Sequence, residues 1–159
     1  MKQILIFIVL LNTLLLSQEL KITSNLFNGD EASGISIFTG NVNIIKKNDE
    51  LNASKVTIYT DENKQPIKFI AVGDVSFVIE TKVGAKYEGV ANKVIYFPKE
   101  KEYHFFKNVH LKQINEKKEI LGDEVILKTI EGKAYAKGII KEPVIMIFNM
   151  AEENEEEVK

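Results

Sequence analysis

The chain has 159 residues, with no Cys, no Trp, three Pro, nine Gly and 28% charged side chains. That is enough for one domain with a real core, and it excludes wholesale disorder, collagen, a disulfide scaffold and a Cys-ligated metal site. Net charge is −2 and every basic side chain is Lys, so bidentate guanidinium contacts to phosphate are excluded and nucleic acid is not an expected partner.

Met1-Lys2-Gln3 precedes an apolar run from Ile4 to Leu16, broken only by Asn12 and Thr13 and ended by Ser17-Gln18-Glu19. A bilayer-spanning helix needs about 20 apolar residues. Residues 1–17 therefore read as a signal peptide cleaved near Ser17/Gln18, with a retained marginal anchor as the alternative. No Cys follows the run, which excludes a lipoprotein anchor.

Beyond it, apolar and polar residues alternate over short runs rich in Val, Ile, Phe and Tyr, and no stretch sustains a 3.6-residue period. The expected strands are, in order, Leu20 to Thr23, Ile35 to Lys46, Leu51 to Thr60, Pro66 to Ala71, Asp74 to Thr81 and Ala85 to Gly89. Ala91 to Phe97, Glu102 to Phe106, Asn108 to Ile114, Glu119 to Lys128, Lys133 to Lys137 and Val144 to Phe148 complete the set. Short polar clusters such as Lys47-Asn48-Asp49-Glu50 and Pro98-Lys99-Glu100-Lys101 separate them and suit antiparallel hairpins. Residues 18–149 form the expected β domain, and 150–159 an acidic, solvated tail.

Phe38-Thr39-Gly40-Asn41-Val42 returns as Ala71-Val72-Gly73-Asp74-Val75 and, more loosely, as Phe105-Phe106-Lys107-Asn108-Val109, at spacings of 33 and 34 residues. A second piece follows each copy: Leu51 to Ile58, Gly89 to Tyr96, Ile120 to Leu127. The repeating unit is a pair of strands. Gly before Asn or Asp marks a bend or bulge, and one face of each copy is apolar. That face comprises Phe38, Val42 and Ile44; Val56 and Ile58; Val75, Phe77 and Ile79; Val94 and Tyr96; Phe105, Val109 and Leu111; Val125 and Leu127. One-sided hairpins must close on each other as a sandwich, a jelly roll or a stacked solenoid.

These pieces, together with Ile22-Thr23-Ser24-Asn25 and Gly122-Asp123-Glu124, resemble the OstA-like repeats of the LptA family of periplasmic lipopolysaccharide carriers, from about Leu20 to Gly138. The resemblance implies an all-β, antiparallel, twisted and slightly open jelly roll whose interior receives the acyl chains of lipid A. It implies a periplasmic location and lipopolysaccharide as cargo. It also implies LptC-like and LptD-like partners, and like domains stacked head to tail as a bridge between membranes. A membrane-anchored LptC-like component and a non-lipid β-repeat scaffold are the alternatives. Two departures stand out. Lys107 occupies the position of the repeat's Gly, and Val144 to Phe148 is unusually apolar for an exposed last strand.

The fifteen apolar residues named above are the candidate lipid liners, Phe38, Phe77, Phe105 and Tyr96 foremost because large rings can reorient; a packed core is the competing reading of each. Asp in place of Phe77 or Val109 is expected to abolish lipid loading. Leu20, Ile22, Val144, Ile145 and Ile147 mark the strands expected to join neighbours, unless loops cover them. Lys46, Lys47, Lys99, Lys101, Lys117 and Lys118 are candidates for lipid phosphates, against a simple solvated role. His104 and His110, six apart, share a side only if no bulge intervenes, and no nucleophile motif accompanies them. No enzyme, metal or cofactor is expected.

Overall fold

A computed structural model describes residues 19–150. The expected signal peptide lies outside the described residues, as does the acidic tail beyond Met150. Ten antiparallel strands occur among the described residues, and no helix. They are β1 (Lys21–Thr23), β2 (Leu26–Asp30), β3 (Ile35–Lys46), β4 (Asp49–Thr60), β5 (Pro66–Glu80), β6 (Lys86–Phe97), β7 (Glu102–Gln113), β8 (Lys118–Lys128), β9 (Lys133–Lys137) and β10 (Ile145–Phe148). Strands β3 to β8 run as a meander in sequence order; β1 and β2 share the free side of β3, and β9 and β10 share that of β8.

Three of the expected strand breaks are not breaks. Pro66 to Ala71 and Asp74 to Thr81 form the single strand β5, and β6 and β7 likewise run through the expected interruptions. At Gly40-Asn41, Gly73-Asp74 and Lys107-Asn108 two residues stand opposite one on the next strand, so each site is a β-bulge inside a continuous ladder. Both residues of each pair have positive φ: 81° and 47°, 84° and 46°, 62° and 50°. Lys107 therefore takes the conformation of the Gly it replaces, and the third repeat keeps the geometry of the first two. Strand β2 was not expected. Asn28, Gly29 and Asp30 are turn formers, and only pairing with residues 35–39 holds this segment extended.

The bulges line up on alternate strands and divide the sheet into two halves. One half holds β2, the first part of β3 and β9; the other holds β1, the last part of β3 and β10. Contacts across the interior require the halves to face each other. β4 and β7 are three positions apart in the sheet, about 14 Å at ordinary strand spacing, yet the Tyr103 hydroxyl lies 3.2 Å from Asp49. Lys46 on β3 likewise reaches Tyr96 on β6. The sheet folds along the bulge line into an open roll.

Both halves contribute to the core. Val56, Val94, Phe105, Val125 and Leu127 from one half meet Val42, Val75, Ile79, Val109 and Leu111 from the other, all essentially without solvent contact. Phe77 packs on Phe105 with ring centroids 4.4 Å apart. Each such side chain contributes about 1.5–3 kcal/mol of burial.

Candidate apolar cavity at the open seam

Opposite the bulge line, the hairpin ends of the two halves meet along a seam. Toward β8 the seam is fastened by backbone. The Lys82 amide donates across it to the Thr129 carbonyl at 2.9 Å, and the buried Thr129 hydroxyl ties that turn to its neighbour in the same half by donating to the Lys101 carbonyl at 2.8 Å. In the middle, side chains span it. The Asp49 carboxylate accepts across it from the Tyr103 hydroxyl at 3.2 Å and, within its own half, from the Glu80 amide at 2.9 Å, and the Lys46 ammonium donates across it to the Tyr96 hydroxyl at 3.2 Å. The Tyr96 and Tyr103 rings stack at 4.3 Å.

Toward β3 the seam stands open on a cavity of about 300 Å³. Its walls are Leu20, Ile44 and Leu51 from one half, Phe69, Tyr96 and Tyr103 from the other, Ile79 behind them, and Pro66 and Pro98 at the rim. The period-2 pattern aims these side chains inward: Phe69 is in phase with Ala71, Val75, Phe77 and Ile79 through the Gly73 bulge, and Tyr103 with Phe105. On the other side of the spanning pairs lies a polar cavity of about 380 Å³. Lys46, Asp49, Tyr96 and Tyr103 border both cavities.

Burial dominates the electrostatics here. It raises the Asp49 carboxyl above the ordinary carboxylate value, against the hydrogen bonds from Glu80 and Tyr103 that lower it. The Tyr103 hydroxyl is pushed far up by burial and by the charge of Asp49. Tyr96 is raised mainly by burial.

All fifteen candidate liners face the interior. Twelve are buried, and Phe38, Ile44 and Tyr96 are partly buried against the same cluster. Only Ile44, Ile79 and Tyr96 among them border the apolar cavity; the rest pack on one another. Leu51, Phe69 and Tyr103 were missing from the candidates, although their in-phase positions on expected strands carried the signal.

Of the candidate lysines, Lys46, Lys47 and Lys101 border the polar cavity, joined by Lys82. Lys118 pairs with Glu116, and Lys99 and Lys117 are exposed. Leu20 and Ile22 turn their side chains onto the core, whereas Ile145 and Ile147 are exposed on β10, and Val144 lies just before that strand. A bulge does separate His104 from His110. Both nevertheless lie on the outer face, because the two-residue bulge preserves alternation between Phe105 and Val109. Each lies against its own glutamate, Glu102 at 3.2 Å and Glu119 at 2.7 Å.

No curated protein matches the sequence. The fold is similar to that of LptH from Pseudomonas aeruginosa, described as the LptA homologous periplasmic component of the conserved lipopolysaccharide transport device. The TM-score is 0.75 at 13% identity, over 84% of this chain and 96% of that chain. An antiparallel sheet folded into an unclosed roll is what the two proteins share. Residues 21–133 match the family model described as LptA/(LptD N-terminal domain) LPS transport protein. The chain belongs to this family of lipopolysaccharide transport proteins.

Proposed function

We propose that the protein is a periplasmic carrier that shields the acyl chains of lipid A between the two halves of its folded sheet, as one element of a bridge from inner to outer membrane. The observation that carries this reading is the apolar cavity at the open end of the seam, between Leu20, Ile44 and Leu51 on one side and Phe69 on the other. At about 0.8 kcal/mol per methylene, a dozen methylenes left in water cost roughly 10 kcal/mol, and an apolar slot removes that barrier. Movement between like slots is nearly neutral for the lipid, so direction comes from energy supplied elsewhere.

The cavity is at the small end of the range for ligand sites, about 300–1,000 Å³. Several chains fit only if the seam widens, which parts Asp49 from Tyr103 and Lys46 from Tyr96. A hydrogen bond is worth roughly 1 kcal/mol net, so separating two is affordable against the burial of a single chain. The free sides of β1 and β2 at one edge, and of β9 and β10 at the other, supply donors and acceptors for head-to-tail pairing with like domains. The LptC-like and LptD-like proteins of the pathway are the partners of this reading, and residues 1–17 are its export signal.

A photo-crosslinking amino acid at Phe69 or Tyr96, introduced into the exported protein in cells, tests it. Capture of lipopolysaccharide at these positions, and not at outward-facing Thr57, is the expected result. Absence of capture at both positions overturns the reading.

A further inference from the structure

We propose that the polar cavity beside the apolar one binds a phosphate group of the same acylated lipid whose chains enter the apolar cavity. The proposal rests on the carrier reading and adds a headgroup site to it. Lys46 and Lys47 come from the β3–β4 hairpin, Lys82 from the β5–β6 turn and Lys101 from the β6–β7 turn. Three turns far apart in sequence converge because the seam brings the ends of both half-sheets together. Four lysines thus border one cavity in a chain whose overall charge is −2.

Two carboxylates, Asp49 and Glu80, also border this cavity, and both are engaged. Asp49 accepts from the Glu80 amide and from Tyr103, and Glu80 accepts from the Asn48 side chain at 2.8 Å. None of the four lysines is in an ion pair among the described residues, as is true of most lysines there, so no salt bridge has to be broken for them to meet an anion. Four lysines against two carboxylates leave the lining with an excess of positive charge, which attracts an anion. The two cavities share Lys46, Asp49, Tyr96 and Tyr103 as a common wall, so a phosphate in one sits beside a chain in the other. Lysines on flexible stems act as point charges and suit a phosphate held by its attached chains rather than by a rigid fork.

The test uses the mature protein and a triple variant, Lys47→Gln, Lys82→Gln and Lys101→Gln; Lys46 is left in place because it holds Tyr96. The probes are diphosphoryl lipid A, the same lipid stripped of both phosphates, and inorganic phosphate alone. The parent should prefer the diphosphoryl lipid by about tenfold or more, with the preference shrinking between about 50 and 500 mM salt. In the triple variant the two lipids should bind alike, with an unchanged thermal midpoint. A parent that binds both lipids equally, or a folded triple variant that keeps the preference, overturns the phosphate site and leaves the carrier reading standing. A parent that binds neither lipid overturns the carrier reading as well. Inorganic phosphate should not bind at low millimolar concentration; tight binding there assigns the site to free anions and overturns the link to lipid.

Discussion

Tyr103 and Asp49 stand 54 positions apart in the chain, and the hydroxyl of one donates to the carboxylate of the other across the mouth of the roll. This pair reports how firmly the two half-sheets are held together. Tyr103→Phe removes the donor while keeping the ring, and should cost about 1–3 kcal/mol because a partly buried carboxylate loses a partner. The same variant should take up lipid at least as fast as the parent. Slower uptake by a folded variant would show that the pair does not restrain the opening.

The buried position of Asp49 gives a pH signature. Its carboxyl is raised above 3.8 mainly by burial, so the native state tolerates the protonated form better than the charged one. Its contribution to stability is complete below about 3.8 and declines as pH rises through the folded-state value. Asp49→Asn stays neutral throughout. Its stability relative to the parent should therefore climb as pH rises from about 4 and then level off. Urea midpoints of both proteins between about pH 4 and 7 measure the difference, and a gap that narrows on raising the pH would contradict the burial argument.

Residues of the filled interior and residues of the cavity should separate in mutants. Phe105 has no solvent contact, and Phe105→Ala should cost about 3–5 kcal/mol. Phe77 and Val109 are equally packed, so Asp at either position should unfold the chain and say little about lipid. Leu51 borders the cavity and is only partly buried. Leu51→Asn should cost about 1–2 kcal/mol, leave the protein folded, and lower lipid capture about tenfold. Paired denaturation and crosslinking measurements distinguish the two classes.

The bulges give a third contrast. Lys107 is held at a φ of 62°, a conformation that costs an L-residue about 1–2 kcal/mol. Lys107→Gly removes that cost and adds roughly 0.4–1 kcal/mol of unfolded-chain entropy, so a net gain of about 0.5–1 kcal/mol is expected. Gly73→Ala should go the other way, since the added Cβ would meet the Ser54 side chain at 2.7 Å as well as the strained φ. Gly89→Ala should be worse still. Its Cβ would lie 2.1 Å from the His110 carbonyl oxygen on the neighbouring strand, which the ladder cannot accept without breaking. A loss of at least about 3 kcal/mol, or no folded protein, is the expected outcome.

At the edges, Leu26 on β2 and Ile147 on β10 are exposed. Leu26→Lys and Ile147→Lys should change monomer stability by no more than about 0.5 kcal/mol and suppress concentration-dependent assembly, read by light scattering. Undiminished assembly of the double variant would place the joining surface elsewhere.

Much of this architecture was legible in the sequence because a period of two leaves a mark on every core strand. Val42, Val75 and Val109 recur on one face, and all are buried. What local pattern could not convey was continuity. Gly73-Asp74 and Lys107-Asn108 read as ends of strands, since residues at positive φ usually terminate pairing, yet here a wide ladder on both sides carries the strand through. Strand β2 left no mark because its turn-forming residues are held extended only by β3. The cavity was the least visible feature. Whether Ile44 is a liner and Val42 a core residue depends on where the hairpin ends meet, and Lys82 joins Lys47 and Lys101 only through that meeting.

The seam is tied toward β8 by the main-chain bond from Lys82 to Thr129 and gapes near Leu20. If lipid widens the seam as proposed, such a roll would spread as a wedge, pivoting at its β8 side and moving most at its β1 side. The molecule would then be polar in its mechanics, with a stiff end and a compliant end. Copies arranged edge to edge would set the compliant end of each against the stiff end of the next, so that every doorway in the row is flanked by a rigid neighbour.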